Sequence, residues 1–171
     1  MERIEKIKYL AEKSGQLLEK QIESYRQHRS NSGTIIGIIG VFIPFFLNGL
    51  ADSYFEIKLL SLLPIAIFLW AIILFLRTLR AQPLDQSIAV KKFREIINKE
   101  PEDLLTFEIG VNIDSFEANT SITNRSVKTF NNAILLTAIG IIISVLLLVS
   151  NQFFKPNKIT EPTKVELVCK I

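Results

Sequence analysis

The sequence predicts an all-α integral membrane protein with three transmembrane helices and a cytoplasmic, coiled-coil-like helical stalk. Three windows without a charged side chain, at 30–51, 59–76 and 129–154, support this fold class. A bilayer core of about 30 Å requires roughly 20 helical residues, so each window is long enough to cross it. The 171 residues are 49% hydrophobic and include only seven Gly, six Pro and one Cys, which excludes disorder, collagen-like repeats and a disulfide scaffold.

The distribution of Lys and Arg predicts the orientation of these helices. Seven of them precede the first window, one lies in the first loop, eight lie in the second loop and four follow the third window. Because Lys and Arg remain on the cytoplasmic side, the N-terminus and the second loop are predicted to be inside, and the C-terminus outside. The predicted order is a cytoplasmic amphipathic helix at 1–30, a transmembrane helix at 31–51, a short external loop at 52–58, a transmembrane helix at 59–76, a cytoplasmic helical region at 77–132, a transmembrane helix at 133–151 and an external tail at 152–171.

The N-terminal segment carries apolar and small residues at steps of three and four. This spacing predicts an amphipathic helix whose stripe is narrow enough for a coiled coil. The stripe consists of Ile4, Ile7, Leu10, Ala11, Ser14, Leu17, Leu18, Ile22 and Tyr25.

The second cytoplasmic region predicts two further helices. A short one is expected at 84–99. A long one is expected to begin at Pro101, since the first position of a helix tolerates a missing N–H, and to continue into the third span as far as Asn151. The two long cytoplasmic helices are expected to pack against each other or against other copies, so a homo-oligomer and a monomeric hairpin are both open.

Small residues mark two faces inside the spans. Gly33 and Gly37 form a GxxxG step, with Gly40 on a similar face, which indicates close packing either within the chain or between subunits. The third span carries a second face, which either lines a pore or makes a tight helix contact. This second face consists of Ala133, Thr137, Gly140 and Ser144.

Three further side chains are distinctive within the spans. Pro44 and Pro64 are expected to kink their helices. Asn48 is the one amide in the apolar cores and is assigned to the same pore or packing face. No ionisable side chain lies in any window, which argues against a pump or an ion-coupled transporter but not against a channel gated by dewetting.

Basic residues gather near the predicted inner face of the membrane. Either they anchor the spans on anionic headgroups, or they form a collar that binds the phosphates of a nucleotide or oligonucleotide. The collar consists of Arg26, His28, Arg29, Arg77, Arg80, Arg125 and Lys128. On the other side, Asp52 and Glu56 form an external acidic ring or are simply solvated, and Cys169 in the tail is available to cross-link two protomers.

No enzyme is predicted. The sequence holds one His and lacks an HExxH motif, a P-loop, a CxxC pair and a Ser–His–Asp set, so no catalytic residue, metal ligand or cofactor site is assigned.

The layout resembles a group of small bacterial membrane effectors. A long amphipathic N-terminal helix, two closely spaced spans, and a third span reached through the charged-to-apolar stretch SFEANTSITNRSVKTFNNAILL, Ser115 to Leu136, are similar to the Hailong, cyclic-nucleotide and SLATT-type effectors of antiphage defence. This resemblance implies a homo-oligomeric channel in the bacterial inner membrane that depolarises the cell on a nucleotide or nucleic-acid signal. A non-conducting scaffold that recruits a soluble partner, and a holin-like lesion former, are the alternatives.

Overall fold

The computed structural model describes residues 2–80, 82–86, 96 and 98–153, and its regular structure is helical throughout these ranges. The helices are α1 (Glu2–Gly49), α2 (Phe55–Leu60), α3 (Leu62–Leu79) and α4 (Pro101–Phe153). Three helical segments are long and apolar enough to cross a membrane, within α1, over Phe55–Leu79 and within α4. The prediction of a helical protein with three helices able to cross a membrane is therefore confirmed.

The two long helices each join a polar half to an apolar half without interruption. α1 has 48 residues and α4 has 53, which corresponds to about 72 Å and 80 Å at 1.5 Å per residue. α4 begins at Pro101, as expected from the position of this proline. The helix predicted from Pro101 to Asn151 is confirmed and extends two residues further. α1 continues on both sides of Pro44, where the expected kink stays a prediction.

The second span is broken near its start. Pro64 has no N–H to donate to the carbonyl of Leu60, four residues earlier, and its ring crowds that carbonyl, so the helix is interrupted at Ser61. The Ser61 hydroxyl donates to Lys58 O at 2.7 Å and closes the end of α2. Non-helical residues between α1 and α2 are confined to 50–54, so α2 begins inside the segment predicted as loop 52–58.

The helix predicted to begin at residue 84 does not include residues 84–86, which are not helical. The Asn119 amide accepts from the Asp85 backbone N–H and donates to the Asp85 C=O. These two backbone groups therefore bond to a side chain instead of forming helical hydrogen bonds. Residues 87–95 and 97 of that predicted helix, and the tail beyond Phe153 with Cys169, lie outside the described residues.

α1 and α4 lie side by side and run in the same direction. Arg3 contacts Glu102 near their first residues at 2.8 Å, and Asn151 Nδ2 donates to Gly49 O near their last residues at 3.3 Å. α3 runs antiparallel to both and packs only along the apolar half. Of the four helices described, three form a bundle along the apolar half, and α1 and α4 continue as a pair along the polar half.

The apolar core lies in the bundle. Its buried members come from all three helices, with Phe68 and Phe75 fully buried at the centre. Aromatic edges hold the helices together, with ring centroids 5.5 Å apart for Phe42 and Phe68 and 5.9 Å apart for Phe75 and Phe130. The core cluster consists of Ile39, Phe68, Ala71, Phe75, Phe130 and Ala133.

Candidate anion-binding site

A concave site forms where α3 ends and the chain leaves the bundle. Residues 82–86 run back along the α1–α4 pair and are held from both sides. The Gln82 backbone N–H donates to the Tyr25 hydroxyl of α1 at 3.2 Å. Asn119 of α4 accepts from Asp85 N and donates to Asp85 O, each at 2.8 Å. We call residues 82–86 the strap, since it connects the end of α3 to both long helices.

A cavity of about 760 Å³ lies between the end of α3, the strap, α1 and α4. Its size falls within the roughly 300–1,000 Å³ of small-molecule sites. Nine of its eleven lining residues have a polar side chain, and none is acidic. The lining consists of Tyr25, Leu74, Arg77, Thr78, Arg80, Gln82, Ile122, Arg125, Ser126, Thr129 and Asn132.

Three arginines give the cavity its charge. Arg77 lies in the last turn of α3, Arg80 is the residue that caps α3, and Arg125 lies on α4. Cations at a helix C-terminus are stabilised by the helix dipole, which explains why Arg77 and Arg80 are accommodated there. The single salt bridge within the described residues joins Arg3 to Glu102, so these three guanidinium groups carry no acidic partner from that part of the chain.

The hydroxyl groups of the wall differ in their availability. Thr78 donates to Leu74 O at 3.2 Å and Thr129 donates to Arg125 O at 2.8 Å, so both are tied to their own helices. The Ser126 Oγ is shielded from solvent and has no hydrogen-bond partner in the described part of the chain. Because this atom is shielded from solvent, it does not itself face the open space of the cavity.

The other predicted collar residues lie outside this cavity. Arg26 lines a separate cavity of about 510 Å³ that also contains acidic residues. The His28 ring packs edge-on against Phe130 at 4.8 Å, and its Nδ1 lies 2.6 Å from Ser24 O. Arg29 lies over the Tyr25 ring at 6.0 Å, and Lys128 is exposed. A single chain therefore gathers three of the seven collar residues into one site.

The small-residue face of α4 packs inside the chain. Ala133, Thr137, Gly140 and Ser144 are buried. A Cβ at Gly140 would lie 2.8 Å from Phe68 Cε1, so the glycine is required for α3 to approach α4. The Thr137 and Ser144 hydroxyls donate to carbonyls one turn earlier, which satisfies them in an apolar setting. This face makes a helix contact with α3.

The small-residue face of α1 points away from the rest of the chain. Added Cβ atoms at Gly33, Gly37 and Gly40 would meet nothing within 4 Å. An apolar groove of about 590 Å³ runs along this face past Thr34 and Val41. None of the three glycines is needed for packing within the described chain.

The residues predicted at the opposite end of the spans are exposed. Asn48, Asp52 and Glu56 surround the turn between α1 and α2, and none of them is buried. In a single chain, Asp52 and Glu56 do not enclose a site.

Residues 2–80, 82–86, 96 and 98–153 contain no cluster of three His, Cys, Asp or Glu side chains that could hold a metal ion. No family model, curated protein or solved structure matches the chain. Sequence reasoning did not place Tyr25, Gln82 or Ser126 in the cavity. Tyr25 was assigned to the apolar stripe, and the role of Gln82 depends on the path of the strap.

Proposed function

We propose that the protein is a homo-oligomeric effector of the bacterial inner membrane, a channel gated by a cytoplasmic phosphate-bearing signal such as a nucleotide or nucleic acid. In this proposal its opening depolarises the membrane during antiphage defence. One observation carries the proposal. Three arginines without acidic partners among the described residues line a cavity of about 760 Å³ at the end of the spans. Such a site attracts phosphate and disfavours cationic ligands.

The helices that form the cavity also form the spans. Tyr25 belongs to α1, Arg77 to α3, and Arg125 and Ser126 to α4, so the wall is assembled from all three spans. α1 and α4 pass from the cavity into the apolar bundle without a break. A ligand that changes the spacing of these helices at the cavity therefore has a rigid connection to the membrane.

The polar halves of α1 and α4 support a coiled-coil stalk. Buried residues recur every seven positions along α1, at Ala11, Leu18 and Tyr25 and then at Ser32, Ile39 and Phe46. A seven-residue repeat is the pattern of a left-handed supercoil.

Part of the predicted stripe is not covered by α4. Ile4, Leu10 and Leu17 are 51%, 46% and 58% exposed in a single chain. Leu10 and Leu17 are seven residues apart and share a helix face, and exposed apolar side chains on one face in an aqueous compartment favour additional copies that cover them. This supports an oligomer over a monomeric hairpin.

A conducting path would lie between copies. Phe68 fills the space next to Gly140, so the bundle of one chain has a packed centre. On the outer surface, α1 exposes a face of three glycines, Gly33, Gly37 and Gly40, while most of the exposed side chains in the middle of α3 and α4 are large and apolar. We therefore place α1 next to the axis of the channel.

The same surfaces give some support to the alternative of a non-conducting scaffold. Leu63, Trp70 and Ile142 are each more than half exposed and suit contact with lipid tails. A scaffold needs no axial path and would use the Gly33–Gly40 face for close helix packing. The two functions differ in conductance.

Planar-bilayer recording of the purified full-length chain tests the proposal. We expect discrete conductance steps that change when ATP or a short single-stranded oligonucleotide is added on the side of Arg125. In Arg125→Gln the response is expected to fall at least tenfold. Arg125 and Lys128 are both exposed, but Lys128 does not line the cavity, so Lys128→Gln removes the same charge one turn away, serves as the matched control and should respond normally. A silent bilayer with every probe would exclude the channel and favour the scaffold.

A further inference from the structure

The three arginines of the cavity are divided between two helices. Arg77 and Arg80 are three residues apart at the end of α3, and residues three apart are neighbours on a helix surface. Arg125 belongs to α4 and stands beside Ser126. A ligand that contacts all three guanidinium groups must therefore bridge α3 and α4.

The charge of the cavity exceeds what a single phosphate group neutralises. The lining carries three guanidinium groups and no carboxylate. A phosphate monoester carries about −1.5 to −2 near neutral pH and would leave positive charge uncompensated. Two phosphate groups supply a negative charge closer to the three positive charges. Guanidinium forks bind phosphate oxygens in pairs, so two groups can each be held at separate arginines.

The volume agrees with this charge balance. A cavity of about 760 Å³ has the size of a complete small-molecule site and offers far more space than one phosphate group. The Tyr25 ring and the side chains of Leu74 and Ile122 supply the non-ionic part of the wall. The site therefore suits a molecule with two phosphate groups and an uncharged portion.

We propose that the cavity binds a ligand with two phosphate groups, one at Arg77 and Arg80 and the other at Arg125. This inference rests on the proposed function in treating the ligand as the signal that acts on the spans. The chemistry is shared by a soluble diphosphate and by the headgroup of a lipid with two phosphates. Basic pockets between transmembrane helices are known to hold such headgroups.

Binding to the full-length chain in nanodiscs separates these possibilities. In zwitterionic nanodiscs, titration calorimetry compares inorganic pyrophosphate with inorganic phosphate. In a second arm, native mass spectrometry compares retention of cardiolipin with retention of phosphatidylglycerol. We expect the two-phosphate probe to bind at least tenfold tighter than its one-phosphate counterpart in one of the two arms, and that arm identifies the source.

Variants test whether one ligand bridges the arginines of α3 and α4. Arg125→Gln should remove most of the two-phosphate preference, whereas Lys128→Gln should keep it within about twofold. Equal affinity for one and two phosphates in both arms, or equal loss in Arg125→Gln and Lys128→Gln, would overturn the inference. Conductance measurements distinguish failure of this inference from failure of the proposed function. A channel that responds equally to one-phosphate ligands refutes the bridge alone, and tight two-phosphate binding to a silent protein refutes the channel alone.

Discussion

The two halves of the molecule bury different kinds of side chain between the same pair of helices. In the bundle, α1 and α4 enclose Ile39, Phe130 and Ala133 together with aromatic rings from α3. In the helix pair below it, the buried face of α4 is made of Asn112, Ser115, Asn119 and Thr123. One continuous α4 thus changes from a polar seam to an apolar one at the level of the arginine cavity.

This difference shows which contacts fix the packing of α4 against its neighbours in each half. The apolar half gains close packing through small residues, which in lipid is the main source of helix association. In the polar half α1 still buries Ala11, Leu18 and Tyr25, but directed bonds join the two helices as well, such as Asn112 Nδ2 to Ser14 Oγ at 3.1 Å. Buried polar pairs of this kind fix register more than they add stability. The cavity lies at the border, where neither type of packing fills the space.

Overpacking the contact between α3 and α4 should give the largest loss of stability. In Gly140→Ala the new methyl would lie 2.8 Å from the Phe68 ring, which is fully buried and has little room to move. We expect a loss of about 1–3 kcal/mol, measured by thermal or denaturant unfolding in detergent micelles.

Gly37→Ala is the matched control, because its added methyl would meet nothing within 4 Å of the same chain. A helical Gly-to-Ala change without a clash should leave stability unchanged or raise it by up to about 1 kcal/mol. If the two variants unfold alike, the contact between α3 and α4 is not the one described.

Removing the amide that holds the strap should act locally. Asn119 is 1% exposed and pairs with both backbone groups of Asp85. In Asn119→Leu these groups lose their partners, at about 1–3 kcal/mol, so exchange of the Asp85 amide should accelerate roughly tenfold or more in hydrogen–deuterium exchange. Asn124→Leu, at an exposed position of the same helix, should leave that amide protected. Unchanged exchange in Asn119→Leu would show that the strap is held by other contacts.

The spans could be predicted from the sequence, whereas the cavity could not, and the reason is physical. Uncharged windows and the position of Pro101 depend on local composition, so they predict α4 almost to its last residue. The structure brings Arg77, Arg80 and Arg125 of the predicted collar to one cavity and leaves the other four residues outside its lining, while anion binding itself stays a prediction. Tyr25 and Asn119 act through bonds to the strap over 57 and 34 residues of sequence. Helical periodicity carries no information about such long-range partners.

Removing the Tyr25 hydroxyl, beside the arginine cavity, should lower the stability by a smaller amount. Tyr25→Phe removes the acceptor of the Gln82 N–H and keeps the buried ring. A loss of about 0.5–1.5 kcal/mol is expected in the same unfolding measurement. Tyr9→Phe is the control, since Tyr9 is exposed and its hydroxyl has no hydrogen bond within the described residues. Equal stability of the two variants would mean that the Gln82 N–H is satisfied equally well by water.

The ion pair at the far end of the helix pair should contribute least. Arg3 and Glu102 approach to 2.8 Å, but their side chains are 84% and 37% exposed, so water and salt screen the attraction. Arg3→Ala is expected to lower stability by less than about 0.5 kcal/mol at physiological ionic strength. Unfolding measured at low and high salt checks this, with Lys6→Ala as a control for the loss of a cation on the same turn. A loss above 1 kcal/mol that persists at high salt would mean that the first turns of α1 and α4 are held by more than this pair, and that the polar half depends on its ends as much as on its buried amides.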